Sequence, residues 1–156
     1  MLEPAVVFRE IPFGSAQYEE ECRLRNEILR VPLGLSLWDE DLSVEGHQIH
    51  FGLFDEKEEL VACAVVLPLE GKEAKLRQVA VRAEWQQKGL GACLVKEVEE
   101  YLHERGYLRI TLHARSSVCE FYQKLAYHIE GDAFEEVGLP HRRMIKLLLI
   151  TLHEEN

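Results

Sequence analysis

A chain of 156 residues, 47% hydrophobic and 29% charged, is long enough to bury a core of its own and has the composition of a globular domain. Its net charge of -10 argues against nucleic acid as the main partner, because binding a phosphate backbone takes a basic face. No run reaches the length of a membrane span, Met1-Leu2-Glu3-Pro4 does not open a signal peptide, and Cys22, Cys63, Cys93 and Cys119 form no C-x-x-C, so a cytoplasmic protein with reduced thiols and no membrane partner is expected.

In chain order, Val6-Val7-Phe8 opens as a short strand. Ser15 can cap a helix running to about Leu29, with Tyr18, Cys22, Arg25 and Leu29 at helical spacing, and Pro32 stops it. Val31–Leu42 reads as loop or short helix, interrupted by Pro32 and Gly34. Strands follow at His47–Phe54, Leu60–Leu69 and Ala74–Val81, separated by the polar turns Asp55–Glu59 and Glu70-Gly71-Lys72-Glu73. A helix from Gly89 to Arg105 sets Leu90, Leu94, Val98 and Leu102 at four-residue steps and ends at Gly106. A strand at Arg109–His113, a helix at Ser117–Lys124, an irregular stretch and a last strand at His141–Ile150 complete the order. With no repeat or linker, residues 1–156 read as one domain, an α/β (α+β) sandwich with a mostly antiparallel sheet and one right-handed crossover.

The chemistry concentrates between the strand Ala74–Val81 and the helix from Gly89, in Arg82-Ala83-Glu84-Trp85-Gln86-Gln87-Lys88-Gly89-Leu90-Gly91. The first N–H groups of a helix lack internal partners, and the helix dipole favours an anion there. Gly89 and Gly91 let a phosphate approach the backbone, and Lys88 adds a positive charge. Neither G-x-x-x-x-G-K-[ST] nor G-x-G-x-x-G is present, so this is neither a Walker loop nor a Rossmann site. A loop with two turn glycines is the bland alternative.

Val79-Ala80-Val81 followed by Gln86-x-x-Gly89-x-Gly91 resembles the acetyl-CoA signature of the GNAT superfamily, Q/R-x-x-G-x-G/A after an apolar strand. Leu112-His113-Ala114-Arg115, followed by Phe121-Tyr122-Gln123-Lys124-Leu125-Ala126-Tyr127, resembles the family's strand-helix segment ending in F-Y-x-K-x-G-F. Gly138-Leu139-Pro140-His141-Arg142-Arg143-Met144 is similar to the G-I-P-H-x-x-M run of small bacterial members of the YjcF/ElaA kind, and Arg30-Val31-Pro32-Leu33-Gly34-Leu35 looks like the same subgroup. The resemblance spans almost the whole chain. Ala126 stands where the family usually has Gly, which changes the turn after the helix, and Arg115 stands where many members have Asn.

The resemblance implies a GNAT fold: a mixed, mostly antiparallel sheet splayed between its fourth and fifth strands, with helices on both faces. It also implies an N-acetyltransferase that uses acetyl-CoA as co-substrate and moves the acetyl group to a primary amine by direct attack in a ternary complex. A non-catalytic acyl-CoA-binding sensor or interaction module is the alternative. On this reading Val79, Ala80 and Val81 meet the pantetheine arm. Gln86, Gln87, Lys88, Gly89, Leu90, Gly91 and Ala92 hold the pyrophosphate, and the Val79 N–H faces the developing oxyanion. Tyr122 matches the family tyrosine that protonates the departing thiolate; a phenol with pKa near about 10 keeps its proton at neutral pH. A core aromatic is the other reading of Tyr122.

His141 is the first candidate for the general base, and a strand-start histidine bound to a backbone carbonyl is the other reading of it. His113 could contact substrate or pack, and Arg115 could reach a phosphate or be solvated. Asp39, Glu40 and Asp41 line the acceptor cleft or form a solvated acidic loop. His47 and His50, at strand spacing, face opposite sides and lack a third ligand, so no metal is expected. The expected partner is an acceptor amine on a small molecule or a protein, bound by a monomer or a homodimer.

Overall fold

The structure is a computed structural model that describes residues 5–148. Its elements run β1 (Val7–Ile11), α1 (Ala16–Leu29), β2 (Ile49–Phe54), β3 (Leu60–Pro68), β4 (Glu73–Val81), α2 (Leu90–Glu104), β5 (Arg109–Arg115), α3 (Cys119–Gln123), β6 (His128–Glu136) and β7 (Leu139–Leu147). The strands hydrogen-bond in the order β1-β2-β3-β4-β5-β7-β6. The pairs β1–β2, β2–β3, β5–β7 and β6–β7 are antiparallel, and β4–β5 is parallel. A parallel neighbour needs a long crossover, and α2 provides it. The mixed, mostly antiparallel sheet expected from the sequence is therefore present. The β4–β5 ladder covers only Glu73–Leu76, ending at Leu76 opposite Leu112, although β4 continues to Val81. The pairing therefore stops part-way along β4, the strand for which the sequence reading expects a splay.

The chain divides into two compact units. One takes in residues up to Leu67 together with Arg77–Val98, and the other Pro68–Leu76 together with residues from Glu99 onward. In the first unit, β2 from His50 and β3 through Val66 are buried at every position, so both faces of these strands are covered. α1 covers one face through a core of Ile11, Tyr18, Cys22, Leu24, Leu37, Phe54, Leu60, Cys63 and Ala80. Ser15 caps α1 by accepting the Tyr18 N–H at 3.2 Å, as its position predicts. In α2 the four-residue stripe Leu90, Leu94, Val98 and Leu102 is buried.

Several boundaries differ from the sequence reading. The first strand lies at Val7–Ile11, and Val31–Leu42 contains the 3-10 turns Val31–Leu33 and Leu37–Asp39. His47 belongs to the 3-10 turn Leu42–His47 and not to a strand, because the Asp41 carboxylate caps the turn by accepting the Ser43 N–H. Strand spacing therefore does not relate His47 to His50. The stretch read as irregular contains β6, whose exposed, polar residues and register shift between Glu130 and Phe134 hide the alternation of a strand. The last strand begins at Leu139 and ends at Leu147, and Ile150 lies outside the described residues. Ala126 adopts φ 75, so the turn after α3 takes the left-handed form that a glycine would give it.

Candidate functional site

At the end of β4, Arg82 donates from Nε and Nη2 to the Leu60 carbonyl at 3.0 and 2.7 Å, and its N–H donates to the Val61 carbonyl at 2.8 Å. A 3-10 turn, Ala83–Trp85, follows, and Gln86 Nε2 donates back to the Val81 carbonyl at 2.9 Å. The loop is thus tied to the strand it leaves. Gln87 at φ 63 and Gly89 at φ 82 then turn the chain into α2. The Gly89 carbonyl accepts the Cys93 N–H at 3.0 Å, so the helical ladder begins there. The preceding N–H groups, of Leu90, Gly91 and Ala92, have no acceptor within the helix. Gln86, Gln87, Lys88 and Gly89 form the open part of the loop, and a Cβ built on Gly89 would have nothing within 4 Å. Leu90 is buried and pins the first turn, while Ala80 anchors β4 in the core. Val79 through Ala92 form one continuous strand-loop-helix in the first unit, with a row of amides at an open helix end.

In the second unit, Tyr122 lies on α3 with its ring edge-on to Phe121 and Tyr127, at centroid distances of 4.9 and 5.6 Å. It is buried, and burial pushes its phenol pKa up, so the hydroxyl keeps its proton. That hydroxyl makes no hydrogen bond among the described residues. His141 is buried on β7 opposite Arg115 of β5 and Phe134 of β6. Its Nδ1 lies 2.9 Å from the Leu139 carbonyl, which assigns the proton of the neutral ring to Nδ1 and leaves Nε2 as the basic atom. His113 is held by Glu136 at 2.9 Å and packs edge-on against Phe134. The structure therefore brings His113, Arg115 and His141 to one end of the β5–β7–β6 ladder.

The first unit also holds a cluster that sequence reasoning missed. Glu21, Arg25, Glu45 and His50 are buried together, with relative exposures of 0, 0, 4 and 1%. Arg25 donates from Nη1 to Glu21 Oε2 at 2.8 Å and grips both oxygens of Glu45, at 2.9 and 2.6 Å. The Tyr18 hydroxyl donates to Glu45 Oε1 at 2.7 Å. His50 bridges Glu21 through Nδ1 at 2.9 Å and the Glu45 carbonyl through Nε2 at 3.0 Å. Burial works against the charged form of Glu45, but the Arg25 hydrogen bonds and charge prevail and lower its pKa. Burial likewise opposes the imidazolium of His50, and the Glu21 carboxylate overcomes it and raises that pKa. One signal was available in the sequence: Arg25 interrupts an apolar helical stripe, and a charge there needs a buried partner.

The cluster reaches β4 at Gln78, whose φ of 57 breaks the regular strand. Gln78 Oε1 accepts from Arg25 Nε at 3.4 Å and from Arg30 Nη2 at 3.3 Å. Arg30 is itself paired with Glu40 at 2.5 and 3.1 Å. Of the acidic loop, Glu40 is thus engaged by Arg30 and Asp41 by Ser43. Glu21, Glu45 and His50 each present a ligand atom within 4.8 Å of one another. Both carboxylates already neutralise Arg25, so this group reads as an ion-pair network.

The family profile described as "Acetyltransferase (GNAT) domain" matches residues 36–148. An uncharacterized protein of Bacillus subtilis, YyaT, is 37% identical over 76 residues, covering 49% of this chain and 51% of that protein. The chain spans about half the length of the curated relatives it matches. Among solved structures, Escherichia coli ElaA superposes with a TM-score of 0.77 at 18% identity, covering 91% of this chain and 99% of that one. An aminoglycoside 6'-N-acetyltransferase complexed with coenzyme A gives 0.75 at 18% identity, covering 92% and 98%. These structural likenesses speak for the fold. Among the described residues no helix is long and apolar enough to cross a membrane. With well over half of its length matched by the family profile, and with the strand-loop-helix and mixed sheet described above, the chain belongs to the GNAT acetyltransferase domain family.

Proposed function

We propose that the protein is an N-acetyltransferase that takes the acetyl group of acetyl-CoA and transfers it to a primary amine by direct attack in a ternary complex. The observation that carries this reading is the open Gln86–Gly89 loop, where left-handed Gln87 and Gly89 turn the chain into the free end of α2. The N–H groups of Gln87, Gly89, Gly91 and Ala92 are proposed to receive the pyrophosphate, and the Val79 N–H the thioester oxygen as it gains charge. One preorganised donor of that kind is worth about 3 kcal/mol. The coenzyme A bound in the aminoglycoside acetyltransferase of similar fold supports the choice of co-substrate.

In the proposed reaction the amine gives up its proton to a base, for which His141 Nε2 is the candidate, and its nitrogen bonds to the thioester carbon. The carbon–sulfur bond breaks and the sulfur leaves as thiolate. Tyr122, held neutral by burial and with no hydrogen bond of its own among the described residues, then donates its proton to that sulfur. Free-thiol release with a panel of amines tests the reading, next to calorimetry with CoA. CoA binding with no amine-dependent thiol release would make the protein a non-catalytic acyl-CoA binder, and no binding at millimolar CoA would overturn the assignment altogether. Tyr122→Phe is expected to lower turnover by about a hundredfold or more while CoA affinity holds. Wild-type turnover in that variant would return Tyr122 to a packing role.

A further inference from the structure

Three arginines, Arg25, Arg30 and Arg77, lie around Gln78, and two of them are in ion-pair contact with carboxylates. Glu21 and Glu45 are taken up by Arg25 and His50, and Glu40 by Arg30. Arg77, one residue before Gln78 on the same strand, has no carboxylate within ion-pair distance among the described residues. Its Nη1 donates only to the amide oxygen of Gln48, at 2.5 Å. Arg77 is half-buried, and burial lowers its pKa; Glu45 and Glu40 attract its charge from beyond ion-pair distance, while Arg25 and Arg30 repel it. A guanidinium holds its proton under such conditions, so the group wants an anion. In a chain of net charge -10, a half-buried arginine with no carboxylate in contact among the described residues calls for an explanation.

From these observations we propose that Arg77, flanked by Arg30, receives an anionic group on the acceptor, so that the substrate is a primary amine carrying a carboxylate or a phosphate. This inference rests on the acetyl-transfer reading, in which the Val79 N–H marks the thioester. A strand advances about 3.3 Å per residue, which keeps Arg77 within one side-chain length of that position. An amine whose nitrogen reaches the thioester would then have its neighbouring anionic group within the span of an arginine. The planar guanidinium binds carboxylate and phosphate alike through paired N–H donors. Of the acidic loop Asp39 to Asp41, Glu40 is already paired with Arg30 and the Asp41 carboxylate accepts from Ser43.

Matched amines test the proposal: L-phenylalanine against phenethylamine for the carboxylate, and phosphoethanolamine against ethanolamine for the phosphate. Thiol release is read as kcat/KM for each, on the wild-type chain, Arg77→Met and Arg77→Lys, with circular dichroism to establish folding and calorimetry to follow CoA. The anionic member of at least one pair should be favoured by about tenfold or more in the wild type, and the favoured pair tells carboxylate from phosphate. Arg77→Met should collapse that ratio and Arg77→Lys should keep part of it. Equal rates within both pairs, preference for the uncharged partner, or a ratio that survives Arg77→Met would overturn this proposal and leave acetyl transfer standing. Bound CoA with no turnover on any amine would overturn both.

Discussion

The Gln86–Gly89 loop and the cluster of Glu21, Arg25, Glu45 and His50 lie in the same compact unit, yet the first is open to solvent and every residue of the second is buried. The loop prepares for charge with backbone: left-handed Gln87 and Gly89 line up amides at a helix end. The cluster uses side chains from α1, the 3-10 turn Leu42–His47 and β2, each neutralising another. The open loop has free donors for a ligand, whereas the cluster satisfies its own. The comparison teaches that polar groups crowded together indicate a binding site only where they remain uncommitted. Arg77, beside the cluster, lies between these cases: it donates to the Gln48 amide oxygen but has no carboxylate in contact among the described residues.

The sharpest way to break the comparison is Arg25→Met. It strands Glu21 and Glu45 without their cation, and removing one partner of a buried pair costs roughly 3–5 kcal/mol. Urea denaturation should show a loss of that order. A midpoint within the error of wild type would mean that the cluster is wet and adjustable. Gly91→Val addresses the loop instead. The branched Cβ would fill the space a phosphate must enter, while valine is no worse a helix residue than glycine, so circular dichroism should be unchanged. Losing one charge-assisted hydrogen bond costs roughly 1.5–3 kcal/mol, which lowers CoA affinity at least about tenfold by calorimetry. Unchanged affinity would place the pyrophosphate elsewhere.

Titration separates the two regions more gently. The folded pKa of His50 lies above its ordinary 6.5, so the protonated ring stabilises the fold fully below that value, and the contribution fades as pH rises through the folded pKa. The slope for one proton is at most about 1.4 kcal/mol per pH unit. Glu45 works in the opposite sense: its lowered pKa gives stability above its ordinary 4.5 that is lost as pH falls through the folded value. Stability in urea should therefore fall in the wild type as pH rises from 6.5 through the folded pKa of His50, and His50→Gln should flatten that arm. An identical arm in the variant would assign it to another group. The smallest change expected is from Ala126→Gly in the second unit, which measures a purely local backbone effect. Ala126 sits at φ 75, where glycine carries no Cβ penalty, and the gain should be about 0.5–1 kcal/mol by thermal melting after the entropy of the unfolded glycine is allowed for. A loss of stability there would show that the alanine methyl packs.

By itself the sequence determined the regular elements whose reasons are local. The stripe Leu90, Leu94, Val98 and Leu102 marked α2, Ser15 marked the start of α1, and Gln86-x-x-Gly89-x-Gly91 marked the open helix end. Each follows from spacing, capping or backbone freedom within a few residues. The sequence was poorest where neighbours in space set the outcome. β6 is a strand because β7 pairs with it, although its own pattern of exposed polar residues says loop. His50 is tied down because α1 brings the Glu21 carboxylate to it, from 29 residues away, and the turn before β2 brings the Glu45 backbone carbonyl, from 5. Arg25 announced itself as a charge in an apolar stripe, but its partners could not be read from its own helix alone. Tertiary structure also decided which acidic residues are committed and that Arg77 is left without a carboxylate among the described residues. The physical reason is that helix starts and turns depend on adjacent torsions, whereas the state of a charge depends on every group the fold brings within a few ångströms.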